Sequence, residues 1–167
     1  MSSALTYGFI GVGVMNSAIV RGLCTLDSPP ASIVLSPRNA ERAAALQAEF
    51  PSIVSVASDN QAVVDASELL FLGVLPSMCE EICSSLTFRP SHTVCSLLST
   101  QPLLSLRTHC VGVEPNNVVR AIPLPPVAKH KGATIMCPSH PLVTPLFESL
   151  GTCIAVESEE DMKKMMP

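Results

Sequence analysis

Short apolar runs alternate with amphipathic stretches along the whole of this 167-residue chain. Aliphatic and β-branched runs predict strands over 7–10, 33–35, 53–56, 69–74, 93–98, 118–122, 133–137 and 153–156. Apolar residues at helical spacing predict helices over 15–25, 40–50, 60–64, 76–86, 102–108, 142–150 and 159–166. This alternation is typical of an α/β fold in which helices cover both faces of a mostly parallel sheet. We therefore expect one domain over residues 1–157, and the start of a further helix over 158–167.

The amphipathic segment at the end of the chain carries three methionines, Met162, Met165 and Met166. No sequence follows on which this side of the helix could pack. The pattern therefore predicts exposed methionine side chains, at an end that is prone to fray.

Composition and charge narrow the function classes. The chain is 47% hydrophobic. Its formal net charge of -4 argues against a nucleic-acid partner, because proteins that bind nucleic acids present a basic face. No apolar run reaches the roughly 18 residues of a membrane span, and no basic segment of a signal peptide precedes the first strand. The 7 cysteines are scattered without metal-ligand spacing. We expect reduced, mostly buried thiols in a cytoplasmic protein, with no metal and no membrane contact.

The first predicted strand ends on Gly11-x-Gly13, and a helix follows at once. In a nucleotide-binding βα unit the first glycine allows a tight turn, and the second lets a pyrophosphate approach the helix N-terminus. Asn16 replaces the third glycine of this fingerprint. The loop favours a Rossmann-like, doubly wound fold that binds a dinucleotide; the alternative is an ordinary glycine turn.

The end of the second predicted strand indicates which dinucleotide is bound. A carboxylate at this place bonds the ribose 2′-hydroxyl of NAD. This chain has Ser36 and Arg38 instead, with Arg42 one helical turn later. Because a guanidinium pairs with phosphate through two charge-assisted hydrogen bonds, the pattern favours NADP(H) over NAD(H). The alternative is that both arginines are solvated charges at the start of a helix.

Several longer blocks follow one another along nearly the whole chain. They are Gly8-Phe9-Ile10-Gly11-x-Gly13-x-Met15 with Ala18-Ile19, Asp59-Asn60-Gln61 to Asp65-Ala66, Ser67-Glu68-Leu69-Leu70-Phe71-Leu72-Gly73-Val74-x-Pro76, Val119-Arg120-Ala121-Ile122-Pro123-x-x-Pro126 and Gly132-Ala133-Thr134. In content and order they resemble the pyrroline-5-carboxylate reductase family. The resemblance implies the amino-terminal NADP-binding domain of an oxidoreductase that reduces a cyclic imino acid in proline biosynthesis. It also implies that the family's carboxy-terminal helical dimerisation domain, which helps to hold the substrate, is absent from this sequence.

The resemblance implies cofactor-binding roles by position. The residues that would line the pyrophosphate are Gly11, Val12, Gly13, Val14, Met15 and Asn16. Those that would hold the 2′-phosphate are Ser36 and Arg38, and Asn60 would lie near the adenosine ribose. Val74, Leu75 and Pro76 would lie beside the nicotinamide ribose, and Pro123 would border the nicotinamide. No catalytic residue or proton donor is assigned.

Departures from the family affect the substrate side. A lysine that usually precedes a proline is Leu75 here, and the polar residues of a Met-Pro-Asn-Thr-Pro block are Leu124 and Pro125. A small Ala-Ala-Gly turn reads Leu98-Ser99-Thr100. We therefore expect this chain alone to bind cofactor with little or no turnover of a small-molecule substrate. Whether it forms a homo-oligomer stays open.

Two other function classes stay open. One is a cofactor-binding or interaction module without catalysis, which the apolar substitutions favour. The other is a different NADP-dependent reductase with a similar domain, such as the coenzyme F420-dependent type. The Pro123–Pro126 block followed by Gly132 argues against the latter.

Four histidines and one arginine remain as polar candidates. His130, within Lys129-His130-Lys131, could transfer a proton, although such a run is more often a solvated loop. His92, His109 and His140 stand beside turns and are expected at the surface. Arg120, at the start of a strand, is expected to brace a loop by hydrogen bonding.

Overall fold

The computed structural model describes residues 4–166 as one α/β domain built on an eight-stranded sheet. The strands are β1 (Thr6–Ile10), β2 (Ser32–Leu35), β3 (Val54–Val56), β4 (Leu69–Leu72), β5 (Thr93–Ser96), β6 (Val118–Pro123), β7 (Ala133–Cys137) and β8 (Thr152–Ala155). The helices are α1 (Val14–Cys24), α2 (Ala40–Glu49), α3 (Asn60–Ala66), α4 (Cys79–Ser84), α5 (Leu103–His109), α6 (Val143–Ser149) and α7 (Glu159–Met165). Short 3₁₀ helices occupy Pro76–Met78, Pro115–Asn117 and Pro125–Lys129.

The strands follow the order β3-β2-β1-β4-β5-β6-β7-β8 across the sheet. β1 to β6 are all parallel, β7 is antiparallel to β6, and β8 is parallel to β7. The antiparallel pair arises because the chain returns directly from β6 to β7 without a crossover α-helix. The strand order reverses at β1, as in doubly wound dinucleotide-binding folds. The predicted Rossmann-like, mostly parallel α/β fold is confirmed.

Buried side chains form one apolar layer on each face of the sheet. One layer joins β1 and β4 to α1, α2 and α6; within it the rings of Phe9 and Phe71 stack at 4.6 Å, and Phe147 meets Phe71 edge-on at 6.3 Å. The other layer includes side chains of α3, α4, α5 and α7. Every residue of β4 is buried, as expected for a central strand covered on both faces. The ends of β1 and β4 are thus held by packing on both sides.

The last helix packs on the domain. Met162 is fully buried in the second layer, while Met165 is exposed. The expectation that Met162 is exposed is therefore wrong. The apolar surface that covers it comes from earlier elements of the chain, since α7 lies against β7.

Arg120 joins α7 to two other parts of the domain. Its side chain is 3% exposed, forms an ion pair with Glu159 and donates a hydrogen bond to the carbonyl oxygen of Ser99 at 2.7 Å. The Glu159 carboxylate also accepts a hydrogen bond from the backbone N–H of Leu103, at the start of α5, at 2.9 Å. The predicted bracing role of Arg120 is confirmed.

Two histidines that were expected at the surface lie in the interior. His92 is fully buried, and its Nδ1 accepts a hydrogen bond from the N–H of Arg89 at 2.8 Å. His140 is also buried, and its Nδ1 accepts from the N–H of Leu142 at 3.1 Å. The surface prediction is wrong for both because each ring is the acceptor that closes a local turn. Burial lowers the pKa of both imidazoles.

We expect the domain to lose stability as the pH falls below the unfolded histidine pKa of about 6.5. A histidine whose pKa is lower in the folded state binds more protons after unfolding, so the free energy of unfolding decreases with falling pH in this window. His92→Gln, which keeps a polar side chain without an ionisable group, should reduce this dependence. Urea unfolding of both proteins at about pH 7.5 and about pH 5.5 measures it. An equal decrease in the two proteins would contradict the assignment to His92.

The cysteines are mostly interior, as predicted. Six are buried and Cys153 is partly exposed, all with free thiols. Burial raises the pKa of Cys24 and of Cys153 to about 11, so neither is a reactive thiolate near neutral pH. Within residues 4–166 there is no group of three or more His, Cys, Asp or Glu side chains placed to hold a metal ion. No helix of this part of the chain is both long and apolar enough to cross a bilayer.

Candidate nucleotide-binding site

A cleft opens where the strand order reverses, at the carboxyl ends of β1 and β4. Ile10 and Leu72 are register partners at these ends, so Gly11 and Gly73 follow side by side. The N–H of Gly73 donates to the carbonyl oxygen of Ile10 at 2.9 Å, and this hydrogen bond fixes the segments that follow β1 and β4 relative to each other. The cleft has a volume of about 630 Å³, within the range of small-molecule sites. Ligands of open α/β sheets bind at such a reversal.

The two glycines of the β1–α1 loop serve different purposes. Gly11 has φ +89°, and a Cβ at this position would lie 2.3 Å from the carbonyl oxygen of Gly73. Gly13 precedes the first residue of α1, and a Cβ there would meet nothing within 4 Å. Gly11 is therefore required by the protein's own packing, whereas Gly13 leaves open space in the cleft. Because α1 has no side-chain cap, its first backbone N–H groups are available to an anion in that space.

The side chain of Asn16 contacts both the glycine loop and the residue that follows β4. It is 2% exposed, and its Nδ2 donates to the carbonyl oxygen of Gly11 at 2.6 Å. Its side chain lies against Gly73, where a Cβ would be 2.5 Å from Nδ2. Among the described residues, no partner bonds its buried Oδ1. Asn16 thus supports the floor of the cleft in place of a third glycine.

Ser36 lies beneath the loop and not in the cleft. Its side chain is fully buried, and its Oγ accepts a hydrogen bond from the N–H of Gly11 at 2.8 Å. A hydroxyl in this position holds the glycine loop at the end of β2 and presents no surface to a 2′-phosphate. The predicted direct contact between Ser36 and the phosphate is corrected accordingly.

One wall of the cleft comes from the start of α2. Arg38 lines it and reaches across to Met78, with Nη1 donating to Sδ at 3.2 Å. Asn39 caps α2 by accepting from the N–H of Arg42 at 3.2 Å. Sequence reasoning missed five lining residues: Asn39, Ala40, Glu41, Gly73 and Met78. An Asn directly before a helical pattern is a cap signal that would have placed the first three of them at the strand end.

The opposite wall comes from the segment after β4. Val74 and Leu75 line the cleft, and the side chain of Leu75 is 65% exposed. Pro76 follows as the first residue of a 3₁₀ helix.

The remaining predicted residues divide into two groups. Val12 lines the cleft together with Gly11 and Gly13. Four of these residues do not line the cleft: Val14 and Met15 in the first turn of α1, Asn60 at the start of α3 and Pro123 at the end of β6.

The model of the family described as NADP oxidoreductase, coenzyme F420-dependent, matches residues 6–100. The chain belongs to this NADP oxidoreductase family. The matched segment contains every residue that lines the cleft. The Pro123–Pro126 block and Gly132, which argued against the coenzyme F420-dependent type, lie beyond it.

Solved structures of similar fold confirm the predicted resemblance to pyrroline-5-carboxylate reductases. The enzyme of Streptococcus pyogenes is 25% identical with a TM-score of 0.76, over 96% of this chain and 61% of that one. The enzyme of Coxiella burnetii is 22% identical with a TM-score of 0.82, over 98% and 63%. That of Plasmodium falciparum, solved with NADP bound, is 18% identical with a TM-score of 0.73, over 95% and 59%. No curated protein sequence matches. This member of the NADP oxidoreductase family thus spans about three fifths of the length of these structures.

The histidine of the Lys129–Lys131 run lies away from the cleft of this NADP oxidoreductase family member. His130 Nε2 is 2.7 Å from the carbonyl oxygen of Gly22 and 3.2 Å from Oγ1 of Thr25. Gly22 permits this close approach, since a Cβ there would lie 2.5 Å from the carbonyl oxygen of Val127. His130 therefore braces α1 against the loop after β6 and is not brought to the candidate site.

Proposed function

We propose that this chain is the NADP-binding domain of a reductase that acts on a cyclic imine of the pyrroline-5-carboxylate class, in proline synthesis. The observation that carries the proposal is the open space at Gly13, before the uncapped N-terminus of α1, in the cleft at the strand-order reversal. Membership of an NADP oxidoreductase family and the likeness to pyrroline-5-carboxylate reductases support it. A nicotinamide cofactor in this cleft supplies the hydride that reduces a C=N bond.

The residues present fit a dinucleotide. The backbone of Gly11, Val12 and Gly13 and the N-terminus of α1 would hold the pyrophosphate. Ser36 and Asn16 would keep that loop in position from beneath. The exposed apolar side of Leu75, with Val74, would lie beside the nicotinamide half and exclude water from it.

The arginine at the end of β2 supports NADP(H) as the preferred cofactor. Arg38 lines the cleft, and the three residues that close β2 and follow it are Leu35, Ser36 and Pro37, with no carboxylate for a 2′-hydroxyl. Glu41 also lines the cleft one turn further on. We propose that the positive charge of Arg38 offsets the negative charge of this carboxylate, and that Arg38 contributes to recognition of the 2′-phosphate of NADP(H).

We expect purified chain to bind NADPH but to reduce 1-pyrroline-5-carboxylate far more slowly than ordinary enzymes, which turn over at about 1 per second or faster. The reason is that the positions near the substrate side are apolar: Leu75 is 65% exposed and Leu124 is 51% exposed, and neither can clamp a carboxylate or donate a proton. NADPH consumption with and without the imine measures this.

The same assay decides between two candidate functions. The exposed Leu75 and Leu124 favour, as second candidate, a cofactor-holding module without catalysis. Imine-dependent NADPH consumption, even slow, supports the reductase domain. NADPH binding with no consumption above the uncatalysed rate supports the module. Turnover at the ordinary enzymatic rate would contradict the expectation that this chain lacks a complete substrate side.

A further inference from the structure

Three of the buried cysteines lie in the second apolar layer, on α4 and α5. Cys79 and Cys83 stand one turn apart on α4, and Cys110 directly follows the last residue of α5. Each of the three side chains is at most 1% exposed. The other four cysteines are spread over α1, β5, β7 and β8. The three therefore form a local concentration of thiols that the proposed function does not use.

The sulfur atoms of Cys83 and Cys110 are in contact. They lie 3.9 Å apart, although the two residues are 27 positions apart in the sequence. A disulfide has a sulfur–sulfur distance of about 2 Å, and rotation about the Cα–Cβ bonds can supply the remaining movement. Because α4 packs against α5, the backbone segments that carry the two thiols are already neighbours. The pair therefore has the arrangement of a dithiol that can be oxidised to a disulfide.

Cys79 is the other candidate partner of Cys83. Hydrogen bonding with Cys83 raises the pKa of Cys79, so these two thiols also interact. Residues one turn apart on a helix have Cβ atoms about 5–6 Å apart, whereas a disulfide needs about 3.5–4.5 Å. A bridge within α4 would therefore distort the helix, and the geometry favours Cys110 as the partner.

Both thiols of the favoured pair lie next to exposed chain. Cys83 precedes two exposed serines at the end of α4, and Cys110 precedes Val111, which is 74% exposed. The two helices are short, with 6 residues in α4 and 7 in α5. Segments near the surface open locally at a lower free-energy cost than the central strands of a sheet. A small oxidant can therefore reach the pair without unfolding of the whole domain.

We propose that Cys83 and Cys110 are an oxidation site at which a peroxide forms a disulfide between α4 and α5. One thiolate attacks a peroxide oxygen and becomes a sulfenic acid, and the other peroxide oxygen leaves as water. The sulfur of the second cysteine then displaces the sulfenic hydroxyl group, which leaves as a second water. Two thiols and one hydrogen peroxide thus give one disulfide and two waters, and two electrons pass from the sulfurs to the peroxide. This proposal does not rest on the proposed function.

The bridge is expected to form slowly and to resist reduction. Hydrogen bonding with Cys110 raises the pKa of Cys83 to about 12, so little of its thiolate is present near neutral pH. The same property makes Cys83 a poor leaving group when a reductant attacks the bridge. Because the bridge restricts the unfolded chain, the Tm of the oxidised domain should be roughly 5–10 °C higher than that of the reduced domain.

Peptide mapping of the full chain by mass spectrometry tests the proposal. The reduced chain is treated with hydrogen peroxide under native conditions, and the remaining thiols are alkylated before digestion. We expect a peptide pair that links Cys83 to Cys110 and separates on treatment with dithiothreitol, which leaves methionine sulfoxide unchanged. Cys110→Ala and Cys79→Ala each remove one buried thiol of the same cluster. The first should abolish the link to Cys83, and the second should retain it.

Thermal unfolding of the oxidised wild type, before and after dithiothreitol, measures the effect of the bridge while methionine oxidation stays constant. A higher Tm before reduction supports the proposal, and a linked chain with an unchanged Tm contradicts the stabilising role of the bridge. Cys83 and Cys110 that stay unlinked in the native wild type overturn the proposal. A link from Cys83 to Cys79, or a link to Cys110 that forms only in urea, also overturns it. The wild-type map decides even where a variant fails to fold.

Discussion

Gly13→Ala is expected to abolish most dinucleotide binding while the domain stays folded. The added methyl group would occupy the open space before α1 and separate a pyrophosphate from the backbone N–H groups there. Loss of one or two hydrogen bonds to a charged group is worth about 2–4 kcal/mol, so NADPH affinity should fall about 100-fold. Because the new Cβ meets nothing within 4 Å, the free energy of unfolding should change by about 1 kcal/mol or less. Calorimetry with NADPH and urea unfolding measure the two effects.

Gly11→Ala is the matched control at the other glycine of the loop. Here φ is +89° and the new Cβ would lie 2.3 Å from the carbonyl oxygen of Gly73, so the fold itself must shift. We expect a loss of about 2–4 kcal/mol in the free energy of unfolding, together with loss of binding. If Gly13→Ala were to bind NADPH as tightly as the wild type, the open space would not be the cofactor's place.

Glu159→Ala is expected to destabilise the domain strongly, although Glu159 is a partly exposed residue of α7. It removes the partner of Arg120, a cation that is 3% exposed, and the acceptor of the Leu103 N–H. An uncompensated buried charge costs about 3–5 kcal/mol; because the Glu159 side chain is 26% exposed, we expect about 3 kcal/mol. This corresponds to a decrease of roughly 10 °C in Tm for a domain of this size.

The neighbouring residue provides the control. Glu160 also forms an ion pair, with Lys164, but on the exposed side of the same helix. Glu160→Ala should leave the Tm unchanged within error, because exposed pairs contribute little. Glu159→Gln, which retains a hydrogen-bond acceptor, should lie between the two. Equal Tm values for Glu159→Ala and Glu160→Ala would show that the pair with Arg120 does not stabilise the fold.

The elements and the glycine loop could be predicted because they depend on local sequence. The buried strand β4 is an unbroken apolar run, and Gly11 and Gly13 stand directly between a strand and a helix. Each of these features lies within a short stretch of sequence. There the hydrophobic periodicity predicts the element, and the conformational freedom of glycine predicts the turn.

Positions that depend on distant partners were not predictable. Met162 is buried in the apolar layer that includes side chains of α3, α4 and α5, which lie far away in the sequence, and no local pattern marks it. Ser36 is polar, and its position in the sequence suits both a ligand contact and the support of a loop. The hydrogen bond from the N–H of Gly11, 25 residues earlier in the chain, shows that it supports the loop. Met78, in the segment after β4, also lines the cleft, and no motif near the first strand could indicate this.

Binding of NADP(H) in the cleft is best tested by calorimetric titration of the purified chain with NADPH and NADH, alongside Arg38→Ala. We predict saturable binding of NADPH that is tighter than that of NADH, and a variant in which this difference shrinks because the affinity for NADPH falls. Failure of the folded wild-type chain to bind either dinucleotide would contradict the proposal that the cleft holds NADP(H), and equal affinities for both would contradict the assigned role of Arg38.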